Sequence, residues 1–149
     1  MNKHIIRIAA VFIWIGFVCS ISFMEAWLKF KAPGVTLTTG LAIGRVVFGA
    51  LNKVELLMVC LIFLSSWNSW NQALANVFLW IALFVLIIQS VVLLPQLSQR
   101  VDIYLRGVTP TPSHLHAIYV PLEVAKVVSL FIYGINQINN YGINITNSR

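Results

Sequence analysis

Charge is what this chain has least of. Only 9% of its 149 residues are Asp, Glu, Lys or Arg, against about a quarter in a soluble domain. That excludes an ordinary soluble domain, and it excludes a disordered chain, which needs charge and polarity to stay unfolded in water. Acid is scarcer still, with four Asp and Glu against ten Lys and Arg. Cysteine is limited to Cys19 and Cys60, each inside an apolar stretch where a thiol usually acts as a small hydrophobe. No CxxC or Cys/His spacing is present, so neither a disulfide framework nor a zinc or iron–sulfur site is indicated. GxSxG, HExxH, Walker A and GxGxxG are all missing. So are repeats, heptads and any nucleic-acid module.

What is present is apolar: 59% of the residues are hydrophobic. A spanning helix needs about 20 mostly apolar residues, and the length accommodates four. The chain reads as a single domain over residues 1–149, all-α, an integral membrane four-helix bundle with short loops. The spans fall at about 5–28, 40–67, 73–94 and 113–135. The first has a basic start (Lys3, Arg7) and resembles a signal peptide, but no A-x-A site follows and its apolar run continues to Trp27, so it reads as an uncleaved span. Pro33-Gly34 marks a turn and Thr36 to Thr39 a helix start. A polar turn with Trp67 and Trp70 suits a membrane interface. Span 3 stops at Pro95, and Gln96 to Ser113 is the longest loop, with room for a short interfacial helix at its start. The Asn-rich tail from Asn136 reads as loose. Its Asn144-Ile145-Thr146 sequon matters only in a eukaryotic secretory context.

With four spans, Lys29, Lys31, Arg45, Lys53, Arg100 and Arg106 share one side, and Lys3, Arg7 and Arg149 the other. Positive residues favour the cytoplasm. The count therefore places the basic loops inside and both termini outside, as in a bacterial inner-membrane protein, although Lys3 and Arg7 argue the other way.

Ionisable residues within spans mark a functional site by default. His116, Tyr119, Glu123 and Lys126 are spaced three, four and three apart, one stripe on a helix face. Arg45, Asn52 and Glu55 form a matching face on span 2. Glu25 lies near the end of span 1, and Gln89 near the end of span 3. Alternating directions bring all nine residues to the basic-loop half of the bundle. The other half, with Val11–Val18, Met58–Leu64, Phe78–Val85 and Val127–Ile132, is almost wholly apolar. The pattern predicts a polar pocket open at one face and closed at the other. An equally economical reading is a structural network, with Arg45 paired to Glu55 or Glu123 and Glu25 to Lys29. Gly40 and Gly44 form a GxxxG pair that favours close helix contact.

Trp14-Ile15-Gly16, Phe30-Lys31-Ala32-Pro33, Ala42-Ile43-Gly44-Arg45-Val46-Val47-Phe48 with Asn52, and Leu115-His116 after a Pro-bearing loop together resemble the four-helix membrane family of unknown function that includes the transmembrane-protein-205-like proteins. The resemblance runs from about Ile8 to Tyr133. It implies a four-helix bundle, supplies no agreed activity, and singles out Arg45, Phe48, Asn52 and His116. Glu123 and Lys126 are not part of that family pattern.

Three functions follow from these residues. The first is a cytoplasm-facing pocket for a small ligand, lipid headgroup or cofactor, in which Arg45 and Lys126 attract an anion. The second is an accessory subunit docked in the bilayer to a larger membrane complex or to copies of itself. The third is a membrane enzyme using His116 and Glu123 as an acid–base pair. His4 lies on the side opposite His114 and His116, so paired haem ligands at one depth are not available; a haem on His116 alone stays possible.

Overall fold

The computed structural model describes residues 3–67, 75–108, 110–111 and 113–146. Among these the chain is helical without strands. Its four helices are α1 (Lys3–Lys31), α2 (Leu37–Ser66), α3 (Val77–Leu105) and α4 (Leu115–Thr146), and each is long and apolar enough to cross a membrane.

Local chemistry sets the helix ends. Val35 N–H donates to Ala32 O (3.2 Å) across Pro33-Gly34, and Gly34 has φ 81°. This is the type II arrangement, in which the second central residue must tolerate positive φ. Thr36 then caps α2, its hydroxyl accepting from Thr39 N–H at 3.2 Å. Asn76 caps α3 by accepting from Phe78 N–H at 3.0 Å.

Two of the expected boundaries are corrected. Helix α3 does not stop at Pro95 but runs on to Leu105. A proline within a helix deprives the carbonyl four residues earlier, here Val91, of its donor. That carbonyl lies in a π-helical segment, Gln89–Leu93, where Leu94 N–H already reaches back five residues to Gln89 O. The i−4 ladder is thus open where proline needs it open. The stop is Gly107 (φ 77°), where Val108 N–H donates to Ile103 O and Gly107 N–H to Tyr104 O, a Schellman closure. The tail is the second correction. Helix α4 continues to Thr146, because Tyr133 and Gln137 are buried and His4 stacks on Tyr141 with ring centroids 5.8 Å apart. Packing outweighs the weak helix preference of Asn. Part of the Trp67–Trp70 turn lies outside the described residues, as do residues 73–74 at the expected start of span 3.

Helix α1 packs against α2 and α4. The first half of α3 (Val77–Ile88) packs on α4, and its last half (Leu94–Leu105) packs on α2. So α3 crosses the bundle, and the crossover is the π-helical turn. A second π-helical segment, Cys19–Glu25, interrupts α1. The core includes Val11, Trp14, Val18, Leu51, Ile62, Leu79, Leu130 and Tyr133. The outer surface exposes Val46, Phe84, Val91 and Phe131, a continuous apolar exterior of the kind that soluble monomers avoid. Cys19 is partly buried and Cys60 exposed on that exterior, both as free thiols.

The glycine pair works as a contact with α1. A Cβ on Gly40 would lie 2.2 Å from the Phe30 ring, and one on Gly44 would lie 2.7 Å from Lys29 Nζ. Gly40→Ala is expected to push the half-exposed Phe30 ring off α2 at a cost of about 1–2 kcal/mol. A detergent-denaturation midpoint unchanged from wild type would show that the ring is not held there.

Candidate functional site

Seven of the nine polar residues fall in two separate places, one sealed and one open, while Glu25 and Asn52 lie in neither and bond to residues that line the open one.

The sealed place is a buried ionic cluster. Lys126 Nζ lies 2.5 Å from Glu55 Oε1 and 3.0 Å from Glu123 Oε2, and donates to Gln89 Oε1 at 2.7 Å. Trp14 Nε1 donates to Glu55 Oε1 at 2.9 Å, and Ser22 Oγ to Glu123 Oε1 at 3.1 Å. The Tyr119 hydroxyl also interacts with Glu123 and Ser22. Lys126 and Glu123 are completely buried, and Glu55, Gln89 and Trp14 nearly so. All four helices contribute. The four-residue-then-three spacing of Tyr119, Glu123 and Lys126 puts them on one face of α4, as the helical period requires. Ser22 and Gln89 each come from a π-helical segment, a feature frequent at functional sites because the wide turn re-aims its side chains.

The open place is a cavity of about 640 Å³, within the size range of small-molecule sites. It is framed by the end of α1, the start of α2, the second half of α3 and the start of α4. Its walls are mostly apolar, with Phe30, Leu41, Phe48, Leu97 and Val101 among them, and its cationic lining residues are Lys29, Arg45 and Arg100. His116 lines it as well, and Tyr119 belongs to both places. Lys29 pairs with Glu25 at 3.2 Å and has the Phe30 and Phe48 rings 5.5 Å away. Arg100 donates to the carbonyl of Thr111 at 2.5 Å.

Several expected pairings change. Arg45 meets Asp102 of α3, not Glu55 or Glu123. Asp102 was missed because Pro95 read as a helix end and left it in a loop. Asn52 donates to Ser90 Oγ in the α3 π-helical segment, so it ties α2 to α3 outside the ionic cluster. Glu25 pairs with Lys29 as the spacing suggested. His116 is exposed in the cavity while Glu123 is sealed below it, so the two stand in different environments. The polar pocket expected from the stripe is therefore divided: Arg45 and His116 line the cavity, whereas Glu55, Glu123 and Lys126 do not.

The opposite half is less apolar than expected. Arg7 is buried there, donating to Ser66 Oγ at 3.3 Å with His4 Nδ1 at 2.7 Å, and Ser65, Tyr133 and Gln137 are buried in the same half. Arg7 sits four residues into α1 and reads in sequence as a flanking charge. A buried side chain there was signalled only by the i, i+4 and i, i+7 spacing to Val11 and Trp14.

Among the described residues no group of three His, Cys, Asp or Glu is gathered to hold a metal ion. No family profile matches the chain, and no curated protein or solved structure was found to be similar to it.

Proposed function

We propose that this chain is an integral membrane protein that binds an anionic amphiphile, a molecule with an apolar body and a negatively charged head, in the cavity at its basic-loop end. The observation that carries this reading is the cavity's composition: apolar walls with Lys29, Arg45 and Arg100 among its lining residues. Nearby acid neutralises only part of that charge. Glu25 pairs with Lys29 and Asp102 with Arg45, leaving Arg100 without an acidic partner among the described residues.

The helices' length agrees. At 1.5 Å per residue the 30 residues of α2 extend about 45 Å, past a hydrocarbon core of about 30 Å. A cavity at the helix ends therefore reaches headgroup depth. Of the positions singled out by the family resemblance, Arg45, Phe48 and His116 line the cavity and Asn52 bonds to the lining residue Ser90. Membership of that family is part of this reading. So is an orientation with the basic loops in the cytoplasm of a bacterial inner membrane, since they carry six of the nine Lys and Arg that the side-by-side count assigns.

The test is binding of a fluorescent fatty acid and of its uncharged alcohol to the protein in nanodiscs. The acid is expected to bind at least tenfold more tightly than the alcohol, and Arg100→Ala to remove most of the difference, because a charge-assisted hydrogen bond contributes about 1.5–3 kcal/mol. Equal binding of acid and alcohol would overturn the reading.

A further inference from the structure

The chain has four acids, and each has an ammonium or guanidinium against it. Glu25 has Lys29, Asp102 has Arg45, and Glu55 and Glu123 share Lys126. The first two pairs are neutral and partly exposed. The third is the only one in which acid outnumbers base, and it is the one sealed from solvent. With all three groups ionised it would carry a net charge of −1 where an uncompensated charge costs several kcal/mol.

The groups facing this site are few. Helix α1 presents Trp14 and Ser22, α3 presents Gln89, α4 presents Tyr119 beside Glu123 and Lys126, and α2 presents Glu55. None of Trp14, Ser22, Gln89 and Tyr119 brings a second positive charge. A metal cation is a poor remedy, because the Lys126 ammonium already occupies the position between the two carboxylates.

We infer that the Glu55–Lys126–Glu123 site holds one exchangeable proton, shared by the Glu55 and Glu123 carboxyls, which trades with water in the cavity by way of Tyr119. Hydrogen bonding leaves an oxygen for the proton on either carboxyl. Both donors to Glu55, Trp14 and Lys126, converge on Oε1, leaving Oε2 free to bear hydrogen. Glu123 accepts from Ser22 on Oε1, and its buried Oε2 has no hydrogen-bond partner although Lys126 Nζ lies 3.0 Å away. The route follows from Tyr119, which lines the cavity and touches Glu123. In exchange each group along it gives up one proton and accepts one, so no charge is left behind in the site. The proton's presence is independent of what the cavity binds.

Infrared difference spectroscopy of the full protein in nanodiscs at neutral pH tests this. The wild type is expected to show a protonated-carboxyl stretch equivalent to one group per chain, which shifts in D₂O. Glu55→Gln removes it. Tyr119→Phe keeps it but slows its H/D exchange at least tenfold. Carbon-13 labelling of glutamate assigns the band in the wild type, so the proton count needs no variant to fold. Absence of a carboxyl band at neutral pH would overturn the proton site. A band that exchanges equally fast in Tyr119→Phe would overturn the route.

Discussion

Replacing Lys126 by methionine is expected to destabilise the bundle by about 3–5 kcal/mol, the cost of removing one partner from a buried ion pair. Methionine matches the lysine stem in length and leaves little void, so the loss is electrostatic. Two carboxyls then face each other in a sealed space with no cation between them. Gln89 Oε1 loses its donor as well, and Gln89 Nε2 already lacks a partner. The measurement is the SDS-induced unfolding midpoint, followed by tryptophan fluorescence. The control that separates charge from packing is the triple variant Glu55→Gln, Glu123→Gln, Lys126→Met. It removes all three ionisable groups together and is expected to recover most of the loss, since neutral replacement of a buried ionic group is often tolerated. A single variant as stable as wild type would show that Lys126 is not what holds these carboxylates.

Trp14 carries the second large effect. It is fully buried in the apolar core and also donates to Glu55. Trp14→Ala is expected to cost about 3 kcal/mol, the lower end of the range for such truncations. The reason is the solvent proposed for these helices: in a bilayer, lipid is as apolar as the core, so the transfer contribution present in water largely vanishes and lost packing remains. Trp14→Phe keeps most of the ring contacts and deletes the donor. It is expected to cost about 1–2 kcal/mol, the range for interhelical hydrogen bonds in membranes. The same unfolding midpoint reads both, followed by circular dichroism because the tryptophan signal changes. If Phe costs as much as Ala, the hydrogen bond dominates and the packing argument fails.

How far the site was legible depends on which periodicity carried it. The stripe of Tyr119, Glu123 and Lys126 follows from the helical repeat alone. Bringing it to Glu55 and Gln89 needed only the alternation of four antiparallel spans. Both are local or topological regularities that survive any detail of packing. The Arg45–Asp102 pair was hidden because Pro95 looks like a terminator. That rule presumes an intact i−4 ladder, and the π-helical turn before Pro95 has already given it up. The actual terminator, Gly107, has its own turn chemistry, but a proline twelve residues earlier obscured it. The division into sealed cluster and open cavity was not legible at all, since Tyr119 and His116 are separated only by how far each side chain reaches across the bundle. Arg7 was obscured by position: a basic residue near a span's start is ordinarily a flank.

The two π-helical turns have a consequence for the molecule as a construction. Each adds a residue to a helical turn without lengthening the helix in proportion, and so rotates everything beyond it by up to about 100°. The cavity-end half of α3, with Val101 and Asp102, thus faces α2 in a register set independently of the half that packs on α4. The Cys19–Glu25 turn does the same for Lys29 and Phe30 at the end of α1. The molecule is therefore one bundle in which α2 and α4 run through unbroken while α1 and α3 change register partway. The side chains that α1 and α3 present at the mouth thus keep an alignment of their own, offset from the ionic half beneath.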